Sequence, residues 1–264
     1  LFKSVLISFL LGFLSTLIVF FIVYKLLKKD SVNAGAIAAH YGSVSVVTFI
    51  TAISFLEKIG VEYKGYIVGM LALMESPAIL IALILVRLFD KKTINFDPSA
   101  FKEIIKEALF NGSIVLLFGS LIIGFINGAK GFNLISPFFV TPFQGVLTLF
   151  LLEMGMIAGK RIEEFKKVGA KLGSLAVLFP IVNGIFGVSI STFFGLDIGT
   201  STLFGVLTAS SSYIAAPAAV RLALPEANPT FYITMSLAIT FPFNIILGIP
   251  LYFSYANLLQ KFLG

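Results

Sequence analysis

Stretches of about 20 residues that are apolar from end to end recur along this chain, and they limit its fold more than any other feature. Val5 to Leu27 is the first of them. A backbone in lipid must satisfy its own hydrogen bonds, which leaves helices or a closed barrel. The stretches are continuously apolar rather than alternating, and this selects helices. Composition removes the soluble alternative. Hydrophobic residues make up 58% of the 264 and charged residues 12%, against about a quarter charged in a soluble domain. The chain has no Cys, so disulfides, thiolate metal sites and thiol catalysis are excluded. Its one His, His40, excludes a His-rich metal site. Trp is absent, so Tyr must supply any aromatic belt. There is no Gly-Lys-Ser nucleotide loop and no cluster of His, Asp or Glu, so neither ATP-driven transport nor an enzyme is indicated. The net charge of +6 sits in short loops between spans and speaks for membrane orientation, not for nucleic acid.

The apolar pattern predicts eight spans, near 5–27, 34–56, 65–89, 113–128, 142–159, 171–195, 200–222 and 229–254. The first is too long for the apolar core of a signal peptide, and no small-residue cleavage site follows it. The fourth is short and ends at Asn127-Gly128. The connection from Asp90 to Gly112 holds one element. Asp97 can cap a helix with Pro98 at its first position. Phe101, Ile104, Ile105, Ala108 and Leu109 then share a face, which predicts an amphipathic helix on the membrane surface. With eight spans, five Lys and Arg lie on the side of the termini and fourteen on the other. The richer side should be cytoplasmic, so both ends of the chain are expected outside.

Met70-Leu71-Ala72-Leu73-Met74-Glu75-Ser76-Pro77 resembles Met235-Ser236-Leu237-Ala238-Ile239-Thr240-Phe241-Pro242 at an offset of 165. The same offset pairs Tyr66 with Phe231 and Ser45 with Ser210. Spans one to three then correspond to spans six to eight. Corresponding spans are five apart, an odd number, so the two copies cross the membrane in opposite directions, as secondary transporters often do. Spans four and five have no partners in the first half. A complete five-plus-five arrangement would need two further spans before Leu1, and residue 1 is not Met. The expected organisation is therefore 1–89 as the last three helices of a first repeat, 90–112 as a cytoplasmic linker, and 113–264 as a second five-helix repeat. In this reading eight of ten helices are present, and the chain alone is expected not to transport.

Two stretches could carry chemistry. Ala39 to Thr48 includes Gly42, Ser43 and Ser45, and Thr208 to Pro217 includes Ser210, Ser211 and Ser212. Both lie in mid-span, where Gly and Pro permit a break and hydroxyls can satisfy freed backbone groups. A broken helix offers partial positive charge at one end and partial negative charge at the other. Two breaks crossing at mid-membrane can hold an anion and a cation together. Small residues that merely let helices pack closely are the plainer reading. Gly42, Ser43, Ser45, Thr48, Ser210, Ser211 and Ser212 are the candidate substrate ligands. Glu75, Ser76, Thr208, Thr240 and Asn244 are the candidates for a cation. Glu75 is the sharpest of these, because a carboxylate in mid-span should face a cavity or a partner. It could bind sodium, relay a proton or brace a helix. Asn183 and Asn244 suit hydrogen bonds between helices, His40 suits a buried hydrogen bond rather than proton transfer, and Glu153 and Arg221 suit span ends.

Glu153-Met154-Gly155-Met156 with Arg161-Ile162, then Ala209-Ser210-Ser211-Ser212, then Leu224-Pro225-Glu226-Ala227-Asn228-Pro229 resemble the cyanobacterial sodium-dependent bicarbonate transporter family and its bacterial relatives. Ala36-Ile37-Ala38, Gly42-Ser43-Val44-Ser45 and Met74-Glu75-Ser76-Pro77-Ala78 extend the resemblance over essentially the whole chain. The resemblance implies ten spans in two inverted five-helix repeats, outward termini and a cytoplasmic loop between the halves. It also implies sodium-coupled bicarbonate uptake across the plasma (inner) membrane, with sodium as coupling ion and no other cofactor. Homotrimers and regulation by a cytoplasmic signalling protein of the nitrogen-regulator type are implied too. Cyanobacterial members carry Asp where Glu75 aligns, which keeps the charge. They also carry Asp where this chain has Tyr213, and that loss bears on sodium stoichiometry and substrate identity. The linker is shorter here. The alternatives are a sodium- or proton-coupled transporter of another small carboxylate and a non-transporting membrane sensor.

Overall fold

The computed structural model describes residues 1–28, 30–89, 106 and 112–263. The amphipathic linker helix expected at 97–109 lies outside the described residues, Lys106 apart. Every regular element described is a helix. The chain runs α1 (Phe2–Leu26), α2 (Ser31–Gly42), α3 (Val46–Lys58) and α4 (Ile67–Phe89), then α5 (Gly112–Phe139), α6 (Phe143–Lys160) and α7 (Ile162–Phe193). The short helices α8 (Ile198–Ala209) and α9 (Ala215–Ala223) follow. The last span begins as α10 (Pro229–Ile233), passes through α11 (Phe241–Phe243) and ends in α12 (Ile249–Leu263).

Among the described residues, seven helices are long and apolar enough to cross a membrane, taking α2 and α3 together as one. The stretch 200–222, expected as a single span, is divided between α8 and α9, neither long enough alone. The fourth span runs past its expected end. Gly128 takes φ 56° and ψ −155° and bends α5, and helix resumes beyond it to Phe139. That left-handed angle is open to glycine at no steric cost, so Asn127-Gly128 marks a bend and not a terminus. The last span carries π turns over Thr234–Thr240 and Asn244–Gly248. Each lies just upstream of a proline, Pro242 and Pro250, whose ring crowds the carbonyl of the turn before it. Widening the turn relieves the crowding.

Helices α1 to α4 and α7 to α12 make up the packed body. Its apolar interior falls into two clusters. One holds Val19, Phe20, Ile37, Ala82, Val86, Phe179, Tyr232 and Phe241. The other holds Ile7, Leu11, Phe49, Leu56, Met70, Val188, Phe204 and Tyr252. Between the clusters, each long helix carries buried polar residues: Ser15 and Thr16 on α1, Glu75 on α4, Asn183 on α7, and Thr240 and Asn244 on the last span. The breaks after α2 and α8 contribute Ser43, Ser45 and Ser210 to Ser212. The body thus contains a polar layer sandwiched between two apolar ones. On α1 the hydroxyls of Ser15 and Thr16 donate to their own i−4 carbonyls at 2.7 Å, which keeps them satisfied without a partner helix.

Helices α5 and α6 lie at the edge of the body, with Phe150, Leu151, Met154 and Ile157 of α6 packed against the first cluster and Leu117 of α5 against the second. None of the most apolar window of α5 is buried and only 11% of that of α6, so their apolar faces must be met by lipid or by another apolar surface. Ser54 on α3 and Gln144 on α6 are joined by a 3.0 Å hydrogen bond.

Candidate functional site

The two breaks are built alike. Asp30 caps α2 and accepts from the Asn33 amide, and Asp197 caps α8 and accepts from the Thr200 amide. Both helices are 12 residues long and both end on a serine in extended backbone, Ser43 and Ser210. The two N-caps are therefore 167 positions apart, as are the two C-caps. Through the breaks the correspondence is Ser43 with Ser210 and Ser45 with Ser212. The offset of 165 fitted around Glu75 and Thr240 is shifted by two residues here, because the connections between the elements differ in length.

Each break bonds to the helix end opposite. The Ser212 amide donates directly to the His40 carbonyl at 2.8 Å, in the last turn of α2. The Ser45 amide donates to Ser210 Oγ at 2.9 Å, and Ser210 Oγ donates to the Leu207 carbonyl at 2.8 Å, in the last turn of α8. Leu207 lies 167 positions after His40. One crossing is direct and its counterpart passes through a hydroxyl. The second half-helices are capped by serines as well: Ser45 Oγ accepts from the Thr48 amide at 3.2 Å, and Ser212 Oγ from the Ala216 amide at 3.0 Å. The positive ends of α3 and α9 therefore start side by side in the polar layer.

A cavity of about 40 Å³ opens there, lined by Val44, Ser45, Val46, Glu75, Ser212, Tyr213, Ile214 and Ala215. It joins both breaks to α4. Glu75 is 4% exposed and is the only buried carboxylate among the described residues. No basic side chain lines the cavity. Ser43 Oγ and Ser211 Oγ are buried without a hydrogen-bond partner, and the Tyr213 hydroxyl interacts with Ser45. A larger space of about 780 Å³ lies in the bend of α5, lined only by that helix and by no charged residue. It is remote in chemistry from the polar layer.

The other candidates have defined roles. Thr48 Oγ1 donates to Ser45 Oγ at 3.0 Å and reinforces the cap. Thr208 Oγ1 donates to the Phe204 carbonyl within its own helix at 2.7 Å. Thr240 Oγ1 donates to the Ala176 carbonyl at 2.5 Å and meets the Tyr41 hydroxyl at 2.6 Å. Pro180 has no N–H to offer Ala176, so Thr240 satisfies an acceptor that the proline leaves free. Asn244 is engaged at both ends of its amide: Nδ2 donates to the Ala209 carbonyl at 3.0 Å, and Oδ1 accepts from the Tyr252 hydroxyl at 2.9 Å. Asn244 thus anchors the carbonyl end of α8 to the last span, as a bond between helices should. Asn183 is buried, with Nδ2 unpartnered. The side chain of Ser76 lies outside the described residues. His40 Nδ1 donates to the Ala36 carbonyl at 2.7 Å, the buried hydrogen bond expected of it. Glu153 is exposed.

Sequence reasoning did not single out Tyr41, Tyr252, Asp30 or Asp197. The aspartates were findable: Asp30-x-x-Asn33 and Asp197-x-x-Thr200 are capping patterns ahead of apolar runs. The capped ends are also clasped by the opposite half. The Asn228 amide donates to Asn33 Oδ1 at 2.7 Å, and the Lys64 amide to Thr200 Oγ1 at 2.9 Å. Asn228 further caps α10 by accepting from the Thr230 amide at 3.0 Å, which gives the Leu224-to-Pro229 motif its structural reason. Beside the second clasp the Tyr63 hydroxyl donates to Glu57 at 2.9 Å. Burial, with the neighbouring carboxylate, pushes that phenol up to about 12, so it remains a donor at physiological pH.

Tyr252→Phe removes the donor to Asn244 and leaves a buried amide oxygen unpaired. The expected loss is about 1–3 kcal/mol of stability, read as a lower melting temperature of the purified protein in detergent. Apparent sodium affinity should change far less than it does on substitution at Glu75.

An all-helical, multi-pass membrane protein with two interrupted helices meeting in a buried polar layer has the design of a secondary transporter. The family model of the Na+-dependent bicarbonate transporter superfamily matches residues 1–257, and the chain belongs to that superfamily. No individual curated protein matches it. Membership in a transporter family argues against an enzyme.

Proposed function

We propose that this protein carries out sodium-coupled uptake of bicarbonate across the plasma membrane by alternating access, the chain described here supplying the crossing of the two breaks. The observation that carries the reading is the shared cavity, where both breaks and the Glu75 carboxylate meet. The paired caps and the reciprocal bonds between the breaks support an inverted repeat. The excess of Lys and Arg on one side supports outward-facing ends.

Coupling follows from charge. An empty site holds the Glu75 carboxylate in low dielectric and repels an anion. A hard cation suits carboxylate, hydroxyl and carbonyl oxygens, and Glu75 with the hydroxyls of Ser45, Ser212 and Tyr213 that line the cavity offers them. Once sodium neutralises Glu75, the capped N-termini of α3 and α9 and their serines can attract bicarbonate. Sodium must therefore bind first. The cavity as it stands measures about 40 Å³, little room for an anion beside a cation, so the breaks must part to admit the anion.

The test is uptake of labelled bicarbonate into proteoliposomes at alkaline pH, where carbon dioxide is scarce. Saturable uptake driven by an inward sodium gradient, and lost when potassium replaces sodium, is expected. Sodium-driven uptake of a different carboxylate, with bicarbonate ignored, would overturn the substrate. Sodium binding with no flux of any anion would overturn transport itself.

A further inference from the structure

Helices α1 and α4 end together, in a corner that transport leaves unused. Phe89 closes α4. Between centroids, its ring lies 5.5 Å from Phe20, 5.6 Å from Phe21 and 5.1 Å from Tyr24, all on the last turns of α1. Phe20 is fully buried and anchors the set, whereas Phe21 and Phe89 are 46% and 44% exposed. Ile84 and Leu88, four residues apart on α4, are exposed as well. Both helices are long and apolar enough to cross a membrane, so these open side chains face acyl chains.

Basic side chains stand at the rim of this patch. Lys25 lies in the last turn of α1, four residues after Phe21 and on the same face. Lys28 follows the helix end in a left-handed turn at φ 54°, and Arg87 lies in the last turn of α4. All three are exposed. Among the described residues, no hydrogen bond or ion pair takes up the ammonium of Lys25 or Lys28. The acid nearest to them in sequence, Asp30, is spent on the cap of α2, where it accepts from the Asn33 amide at 3.0 Å and from Asn33 Nδ2 at 2.6 Å. Asp90, after α4, lies outside the described residues. Bases at helix C-termini also balance the partial negative charge there. That role makes no use of the open rings beside them. A soluble anion would use the bases alone, and a neighbouring apolar helix the rings alone. A molecule with an anionic head and apolar tails uses both.

We infer that the corner between the ends of α1 and α4 binds an anionic phospholipid, with its phosphate on Lys25 and Lys28 and its acyl chains over Phe21 and Phe89. Bases at the end of a membrane span attract anionic headgroups, and the interlocked rings hold a fixed apolar bed beside them. The binding reaches the first break through the chain itself. The Asp30 amide donates to the Leu27 carbonyl at 3.2 Å, so the end of α1 leads directly into the capped start of α2. A lipid that holds the corner steadies that start. The site stands whichever anion the protein carries.

The test is thermal melting of the purified protein in detergent, with and without added lipid. Phosphatidylglycerol is expected to raise the melting temperature more than phosphatidylcholine with the same chains, and inorganic phosphate is expected to leave it unchanged. Lys25→Gln/Lys28→Gln should remove the difference between the two lipids, with affinity falling about fivefold for each base removed. Lys25→Arg/Lys28→Arg should keep the difference, and so should Lys171→Gln, which takes an exposed base from α7. Equal shifts with both lipids would overturn the preference for an anionic head. A comparable shift with inorganic phosphate would replace the lipid by a soluble anion and overturn the inference. Loss of the response in Lys171→Gln would make it an effect of net charge and overturn the site. If Lys25→Gln/Lys28→Gln melts lower without lipid yet keeps its lipid response, the bases only balance the helix ends and the inference fails. Native mass spectrometry of the wild type from mixed lipids needs no variant to fold. It should retain phosphatidylglycerol in preference to phosphatidylcholine, and no preference would overturn the site. None of these measurements requires transport, so they succeed or fail apart from the bicarbonate reading.

Discussion

Glu75→Gln is expected to raise the sodium concentration for half-maximal bicarbonate uptake by at least tenfold, with the protein still folded. The substitution keeps the shape of the side chain and removes its charge. A tenfold loss corresponds to about 1.4 kcal/mol, a modest share of the attraction between a cation and a carboxylate at contact distance. The sign of the stability change separates an ion site from a helix brace. A buried carboxylate without a basic partner costs free energy when the site is empty, so in sodium-free buffer the variant should melt at the same temperature as the wild type or higher. In the wild type, sodium at 100 times its dissociation constant should add about 2.7 kcal/mol of stability, and the variant should lose that increment. Were Glu75 only a brace, the variant would melt lower without sodium while its sodium dependence of uptake stayed unchanged.

Gly42→Ala is expected to disrupt the first break from the opposite physical direction, by crowding. A Cβ at residue 42 would overlap the Thr16 hydroxyl and lie 2.9 Å from Thr16 Cβ and 3.0 Å from Ala78 Cβ. These contacts place Gly42 where α1 and α4 close on the end of α2. Overpacking of this kind costs about 1–3 kcal/mol and should displace Ser43 and Ser45, lowering the melting temperature and the uptake rate together. Thr16→Ala removes the hydroxyl that the new methyl meets first. The double variant Gly42→Ala/Thr16→Ala should therefore recover part of both losses, since the hydroxyl overlap goes while the contacts with the Cβ atoms of residue 16 and Ala78 remain, a coupling that residues in contact show and distant ones do not. If Gly42 serves instead by bringing its backbone to the substrate, the double variant will regain stability without regaining uptake.

The membrane class of the protein, its helical nature and the positions of most spans follow from the sequence, because lipid imposes a local rule. A stretch of about 20 apolar residues has to close its own hydrogen bonds, and no distant contact changes that. The two breaks were legible for a similar reason. Gly42-Ser43-Val44-Ser45 and Ser210-Ser211-Ser212 combine permissive backbone with hydroxyls that cap what they interrupt, and both properties act within a few residues. Glu75 stood out because a charge in mid-span is costly wherever it points.

Tertiary structure alone decided which polar residues are free and which are spent. Thr240 and Asn244 look like cation ligands in sequence, yet Thr240 satisfies the carbonyl that Pro180 strands at Ala176, and Asn244 holds the end of α8. Those demands arise from residues 64 and 35 positions away and leave no local trace. Tyr213, in sequence a departure from a family pattern, lines the cavity with Glu75. That the two capped breaks are spaced by 167 positions rather than 165 was likewise hidden, because apolar helices align almost equally well at several offsets, whereas a cap fits at one. Spacing along a chain determines which faces a helix offers; it does not determine which neighbour takes the hydrogen bond, and in this protein Thr240 and Asn244 are bonded to carbonyls that only the packed structure brings to them.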